Sequence, residues 1–569
     1  MRYMLRTRSS LKSAIRLYVV AVITMASFVV AASPQSPDQT SAANTKILSY
    51  IDSGWDTLSR SMTDCKSLVD PKVTTAPVLY LPYGTATPYA VTEAHQQCNV
   101  EVQHLPRKIS HMGDVRVAEI PVEGLLYLPN RYVVPGGRFN EMYGWDSYFI
   151  ILGLVKDNHT DLAKGMVENF FFEIENYGAI LNANRTYFFT RSQPPFLTSM
   201  IREVYEHPHN EHLTKAWLAK AYGYAQRDYE LWISPIHRAG DTGLARYHDI
   251  GEGPVPEMAD DSSYYPDVIR YLLAHPDIST GYLIDAPDDP SSAEAATLAK
   301  TSCDITVSKV CAHAHVNGHR LTADFYRGDR AMRESGFDTS FRFGPFSGST
   351  GDYAPICLNS LLYKYERDMA HFATLLGRRT EAIEWEHRAS VRQEAINKYL
   401  WNPTQRMFYD YDFITRKQST YNYITAFYPL WAGLATQQQA TALRSHLALF
   451  EQDGGLAMSD NNSGTQWDLP FGWAPTNWLA IKGLEQYGFT GDASRLAGKF
   501  LQTILQNFLS DATIREKYNV VSGSANVAVA TGYKSNVVGF GWTNGVYLQM
   551  RDLLTHPLKQ NTTTPGENR

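Results

Sequence analysis

A large, predominantly helical fold is what this sequence predicts, and three observations predict it. Apolar side chains recur at three- and four-residue steps through most of the chain, glycine and threonine stand at helix-end positions between those stretches, and long connections rich in Gly, Pro and aromatic residues separate them. With 569 residues, 44% of them hydrophobic and 19% charged, the chain is long enough for one large core or two medium ones.

In chain order, residues 1–32 read as a signal peptide. Arg2, Arg6, Arg8, Lys12 and Arg16 precede an apolar run from Leu17 to Ala32, and Val30 and Ala32 suit cleavage before Ser33. The run is shorter than the about 20 residues of a membrane span, so the expectation is a periplasmic or secreted protein with no stable membrane partner after cleavage. Residues 33–114, rich in Pro, Thr, Ser and Gln with short apolar clusters, read as an extended N-terminal arm or small cap.

A helical body follows over 115–556, and 557–569 reads as a disordered tail. Leu162, Met166, Phe170 and Ile174 share one helix face after Thr160. Leu358, Leu361, Leu362, Tyr365, Met369, Phe372 and Leu376 share another; Gly377 then offers a stop and Thr380 an N-cap, which makes a helical hairpin. Ala497, Phe500, Leu501, Ile504, Leu505 and Phe508 form a third face before Ser510. Periodicity fits either a multi-helix bundle or a closed ring of helical hairpins. The connections at 135–149, 182–196, 333–344, 464–475 and 516–545 are longer than turns need, and structured loops on a helical scaffold are where chemistry sits.

The formal net charge of −6 comes without a basic stripe, which argues against a nucleic-acid partner and for a small uncharged one. Aromatic residues make up 12% of the chain, including 35 Tyr and 11 Trp, and aromatic faces stack on the apolar faces of sugar rings. Of the cysteines, Cys65, Cys98, Cys303, Cys311 and Cys357, the odd count leaves one unpaired within a monomer, and spacing does not fix the pairing. Cys311, His313, His315 and His319 match no common zinc spacing, so no metal is expected.

Glycoside hydrolysis needs one carboxyl to protonate the leaving oxygen and another to activate water or attack carbon. The carboxyls set in the long loops among Gly and aromatic neighbours are Glu141, Asp146, Glu257, Asp338, Asp468 and Glu516. Two of these loops carry extended motifs. Pro135-Gly-Gly-Arg-Phe-Asn-Glu-Met-Tyr-Gly-Trp-Asp-Ser-Tyr148 resembles the first signature of the trehalase family of glycoside hydrolases, and Gln466-Trp-Asp-Leu-Pro-Phe-Gly-Trp-Ala-Pro475 resembles the second. Supporting matches run through Asn182-Ala-Asn-Arg-Thr-Tyr, Arg191-Ser-Gln-Pro-Pro, Arg333-Glu-Ser-Gly-Phe-Asp-Thr-Ser, Glu516-Lys-Tyr and Gly539-Phe-Gly-Trp-Thr-Asn-Gly545, so the resemblance spans residues 45–555. Tyr50-Ile-Asp-Ser-Gly-Trp-Asp-Thr-Leu-Ser-Arg-Ser61 and the Arg-Glu-Ser-Gly form resemble the neutral trehalases of fungi more than the periplasmic ones.

The resemblance implies an (α/α)6 toroid with long active-site loops at one mouth, trehalose as substrate, inversion at the anomeric carbon and no cofactor. Asp338 matches the family's general acid and Glu516 its general base, with about 6.5–9.5 Å between the two carboxyls so that a water fits. Gly336 and Phe337 would desolvate Asp338 and raise its pKa, while Lys517 offers Glu516 a positive partner. Arg138, Trp145, Asp146, Asn182, Arg191, Ser192, Gln193, Glu257 and Gly336 match substrate-contacting positions. Arg138 would equally serve by pairing with Glu141 or Asp146. Phe139, Tyr143, Trp467 and Trp473 are further candidates for the pocket wall.

Two departures stand out. Where many trehalases carry Arg-Pro-Glu, this chain has Val255-Pro-Glu257, with Arg246 or, better, Arg333 to fill the gap. The Gly-Glu-Tyr element before the last motif reads Thr531-Gly-Tyr-Lys-Ser-Asn536 and lacks its Glu. The alternatives are an inverting hydrolase of another small glucoside and a non-catalytic trehalose-binding protein.

Overall fold

The computed structural model describes residues 37–69, 76–207, 213–257, 263–278, 281–285, 315–530 and 535–556. The signal segment, Cys303, Cys311, His313, Thr531–Lys534 and the tail lie outside the described residues.

Helices dominate. In chain order they are α1 (Pro37–Leu58), α2 (Cys65–Leu68), α3 (Tyr89–Cys98), α4 (Asp146–Lys156), α5 (Thr160–Asn176), α6 (Leu197–Tyr205), α7 (Lys215–Trp232), α8 (Tyr264–Ala274) and α9 (Ala323–Ser335). There follow α10 (Ile356–Leu376), α11 (Arg379–Tyr399), α12 (Tyr428–Trp431), α13 (Gln437–Ser445), α14 (Ala474–Gln486), α15 (Thr490–Asp511) and α16 (Gly541–Thr555).

One series of helices closes on itself: α4 packs on α6, α6 on α10, α10 on α12, α12 on α14, α14 on α16, and α16 back on α4. A second series flanks it, with α5 against α4 and α6, α7 against α6 and α10, α11 against α10, and α15 against α14 and α16. The sequence of α4, Ser-Tyr-Phe-Ile-Ile-Leu-Gly-Leu-Val after Asp146, is apolar almost all round because Ser147–Val155 are all buried, as an inner helix requires. Its tight seam with α16 depends on two glycines: a β-carbon on Gly545 would stand 2.0 Å from Phe149 O, and one on Gly153 2.6 Å from Gly545 Cα.

The hairpin at 358–399 forms as periodicity predicts, with Gly377 closing α10 at φ 79°. Thr380 is not the N-cap of the next helix; it lies inside α11, whose cap position is Arg378. Side-chain caps form at Asp64, Thr214, Thr322 and Thr436, the last in a reciprocal capping box with Gln439.

The fold is mostly helical rather than all-α. Val78–Leu81 pairs in parallel with both Glu101–His104 and Leu125–Leu126, and antiparallel pairs of two or three residues line the loops. The 33–114 stretch also holds more structure than an extended arm. Ile47, Ile51, Trp55 and Leu58 of α1 are buried, α1 packs on α15 and α16, and a Cys65–Cys98 disulfide ties α2 to α3. Cys357 is free and buried.

Candidate active site

Asp338 follows the C-terminal end of α9. Gly336 turns the chain at φ 76°, and Ser335 Oγ accepts from the Phe337 N–H at 3.2 Å to shape the turn. The Phe337 ring then wedges between Trp145 and Trp467, at 5.6 and 5.2 Å. Dense surroundings push the Asp338 carboxyl up to about 6, against the pull of Arg333, whose Nη1 lies 3.5 Å from Oδ2. The side chain still keeps 22% of its surface open, enough to meet a substrate.

Glu516 stands at the head of the strand Lys517–Asn519, which pairs antiparallel with Phe471–Trp473 of the second signature. Its Oε2 accepts from Lys517 Nζ at 3.1 Å and from the Val537 N–H at 3.4 Å. Lys517 is fully buried over the Trp473 ring, and its Nζ also donates to Ser535 O at 2.9 Å.

Asp146, the first residue of α4, joins the two. It is 4% exposed, and burial together with the charges of Glu516 and Asp338 drives its carboxyl well above the ordinary range. A third carboxyl senses both groups only where all three belong to one cluster, because such interactions fade with distance.

Beneath them runs an aromatic floor. Trp145 contacts Trp467 and Trp542 at 5.9 and 5.7 Å, and Trp467 stacks flat on Trp473 at 3.8 Å. Polar contacts bind this floor to the carboxyl loops: Trp542 Nε1 donates to Glu516 O at 3.2 Å, Trp473 Nε1 to Gln466 O at 2.8 Å, and Gln466 Nε2 to Asp338 O.

Arg191 forms a charged wall. Its Nε donates to Asn182 Oδ1 at 2.7 Å, Nη2 to Glu257 Oε1, and Nη1 lies 3.6 Å from Asp249 Oδ2, with the guanidinium over Phe188. Burial opposes ionisation of Asp249, but Arg330 and Arg191 outweigh it and hold the carboxyl below its usual range. Glu257 also acts on Asp338 electrostatically, which places this wall beside Asp338.

The remaining residues taken from the sequence have these places. Gln193 Oε1 accepts from the Trp145 N–H at 3.0 Å, so this side chain fixes the first signature loop. Ser192 donates its hydroxyl to Ile180 O at 2.6 Å. Arg138 is exposed and donates to Ser535 Oγ at 3.3 Å, while Glu141 pairs with the buried Arg185 at 2.6 Å. Phe139 and Tyr143 pack edge to face at 5.4 Å.

Of the six shortlisted carboxyls, Glu141 and Asp468 hold loops. Asp468 accepts from the Phe341 N–H, Tyr421, Ser459, Ser463 and Thr465, and burial raises it to about 6 despite these donors.

At the Val255 departure, Arg246 is committed to Ile236 O and Gly351 O, while Arg333 sits beside Asp338. Arg330, which sequence reasoning missed, braces the loop by donating to Gly253 O at 2.7 Å, Glu252 O at 2.8 Å and Pro254 O at 3.1 Å. Asp249, Glu334 and Trp542 were missed as well. Glu334 and Trp542 carried a signal, since each stands inside a quoted motif.

The family model described as Trehalase matches residues 39–555. A probable trehalase of Eremothecium gossypii is 35% identical over 554 residues, covering 87% of this chain and 70% of the relative. A cytosolic neutral trehalase of Saccharomyces cerevisiae is 34% identical over 525 residues, covering 83% of this chain and 66% of the relative, so the chain spans about two thirds of that protein's length. The solved structure of neutral trehalase Nth1 from Saccharomyces cerevisiae superposes with a TM-score of 0.72 at 32% identity, covering 90% of this chain and 96% of that one.

These relatives also correct one expectation. Several bear the name cytosolic neutral trehalase, which contradicts the signal peptide and the periplasmic or secreted location. The basic and apolar composition of residues 1–32 is a short local pattern, and it lies outside residues 39–555 that the family model matches. By the family match and these identities, the chain belongs to the trehalase family of glycoside hydrolases.

Proposed function

We propose that this trehalase-family hydrolase splits trehalose into two glucose molecules by a single inverting displacement, with Asp338 as general acid and Glu516 as general base. Asp338 gives its proton to the bridging oxygen as the bond to the anomeric carbon breaks. Glu516 takes a proton from a water whose oxygen attacks that carbon from the opposite face. One glucose leaves in the α form and the other is born β.

The observation that carries this reading is the contrast between the two carboxyls. Burial keeps Asp338 protonated up to about pH 6, whereas Glu516 has a buried ammonium on one oxygen. Asp146, Arg191 and Glu257 supply charged and hydrogen-bonding groups for sugar hydroxyls beside that pair, and the Trp145 and Trp467 rings offer an apolar face. The closed helix series with its flanking partners supports an (α/α)6 toroid as the scaffold. The relatives' names point to the cytosol as the place of action.

Proton NMR of the first minutes of trehalose hydrolysis tests the reading, before mutarotation mixes the anomers. Equal α- and β-glucose is expected. Two α-glucose molecules per turnover would overturn it.

A further inference from the structure

Glu334 lies in the last turn of α9, four positions before Asp338, and is fully buried. Its carboxylate gathers three separate segments. Oε1 accepts from the Ser192 N–H at 3.3 Å, between Arg191 and Gln193, and Oε2 accepts from the His248 N–H at 2.6 Å, next to Asp249. Both oxygens also face His237 Nε2, at 3.3 and 3.2 Å.

The His237 ring is itself fully buried against Trp232, with Nδ1 3.1 Å from Leu231 O. Ser234 Oγ also lies 3.5 Å from Nδ1, so both ring nitrogens have hydrogen-bond partners. The His248 ring lies across it at 6.4 Å, flanked by Arg246 and Asp249. One buried hydrogen-bonded pair of side chains therefore links the Arg191 loop, the Asp249 loop and the segment carrying Asp338.

We propose that Glu334, steadied by His237, is a positioning residue for the proton-donation step: it sets the reach from the Asp338 carboxyl to the glycosidic oxygen. This rests on the reading of Asp338 as general acid. Glutamine at 334 keeps the volume but turns an NH2 group toward an N–H donor, so the loops must shift apart. A displacement of about 1 Å at a reacting group costs about 100-fold in rate.

The experiment compares kcat and KM for trehalose and for α-D-glucosyl fluoride, whose fluoride departs with far less help from an acid. The enzymes are wild type, Glu334→Gln, His237→Gln and Asp338→Asn. The expected result is that Glu334→Gln loses about 100-fold in kcat on trehalose but less than about tenfold on the fluoride, in the same pattern as Asp338→Asn. Equal losses on both substrates would overturn the proposal, because a merely structural role weakens both alike. Asp338→Asn losing both equally, or neither, would instead overturn the acid assignment. Should Glu334→Gln fail to fold, His237→Gln, which keeps an N–H toward Glu334, carries the comparison with the same two outcomes at smaller amplitude.

Discussion

The Trp145 indole lies so close to the backbone of Gly336 that a β-carbon at residue 336 would stand 2.9 Å from its Cε2. The first signature loop and the acid loop thereby share one contact. Its tightness is possible only because residue 336 has no side chain, and the same residue must adopt φ 76° to end α9.

Gly336→Ala is therefore expected to cost about 1–2 kcal/mol in the left-handed backbone alone. It should also push Trp145 or Asp338 out of place, lowering kcat/KM by about 100-fold. Thermal unfolding and steady-state kinetics on trehalose check both halves; wild-type kcat/KM in a folded variant would refute the shared contact.

On the proposed assignment of Asp338 as general acid, activity needs the proton that this carboxyl loses through about pH 6. The kcat/KM profile of the enzyme is expected to decline by about tenfold per pH unit above that point. Arg333 opposes the upward shift, so Arg333→Gln should move the alkaline limb to higher pH. A pH–rate series on both proteins decides; a limb that moves downward or stays put would separate Arg333 from the acid.

Stability should also respond to pH through Asp338. The folded protein binds the Asp338 proton more tightly than the unfolded chain does, since its pKa rises from 3.8 to about 6. The contribution of this group to stability thus falls as pH rises between those values, and above about 6 its buried charge is a cost. Asp338→Asn should gain up to about 3 kcal/mol at pH 7.5 and nothing near pH 3.5. Denaturant midpoints at the two pH values measure it, and an equal shift at both would contradict the linkage.

Glu141 and Arg185 should matter to folding rather than chemistry. Arg185→Met withdraws the buried guanidinium from a carboxylate that is 1% exposed, at an expected cost of about 3–5 kcal/mol. Assays well below its melting temperature should find kcat within a few-fold of wild type. A large kcat loss in fully folded protein would show that Glu141 takes part in the reaction.

Much of this was legible before any coordinate. The residue pattern of α10, its Gly377 stop and the two signature loops identify helices and site loops directly, because apolar periodicity and turn chemistry are local properties. Strands such as Tyr132–Val133 or Phe471–Trp473 escape that reading, since two or three residues carry no period. So do the buried faces of α1, whose Ile47, Ile51 and Trp55 are set in an otherwise polar stretch.

The carboxyls show the same division. By residue type, Glu141, Asp146, Asp338, Asp468 and Glu516 are alike, each a carboxyl in a long connection, and only the family resemblance sets Asp338 and Glu516 apart. Only the fold gives Glu141 an arginine, surrounds Asp468 with five donors, and leaves Asp338, Asp146 and Glu516 to act on one another.

The sequence by itself determined the family, the helical character and the residue types from which a sugar-cleaving site is built. Tertiary contacts alone show that Glu141 is paired with Arg185, that Asp468 holds a loop, and that Arg333 faces Asp338. The reason is physical: a carboxyl's chemistry depends on the charges, donors and solvent within a few ångströms, and here those neighbours come from positions hundreds of residues away.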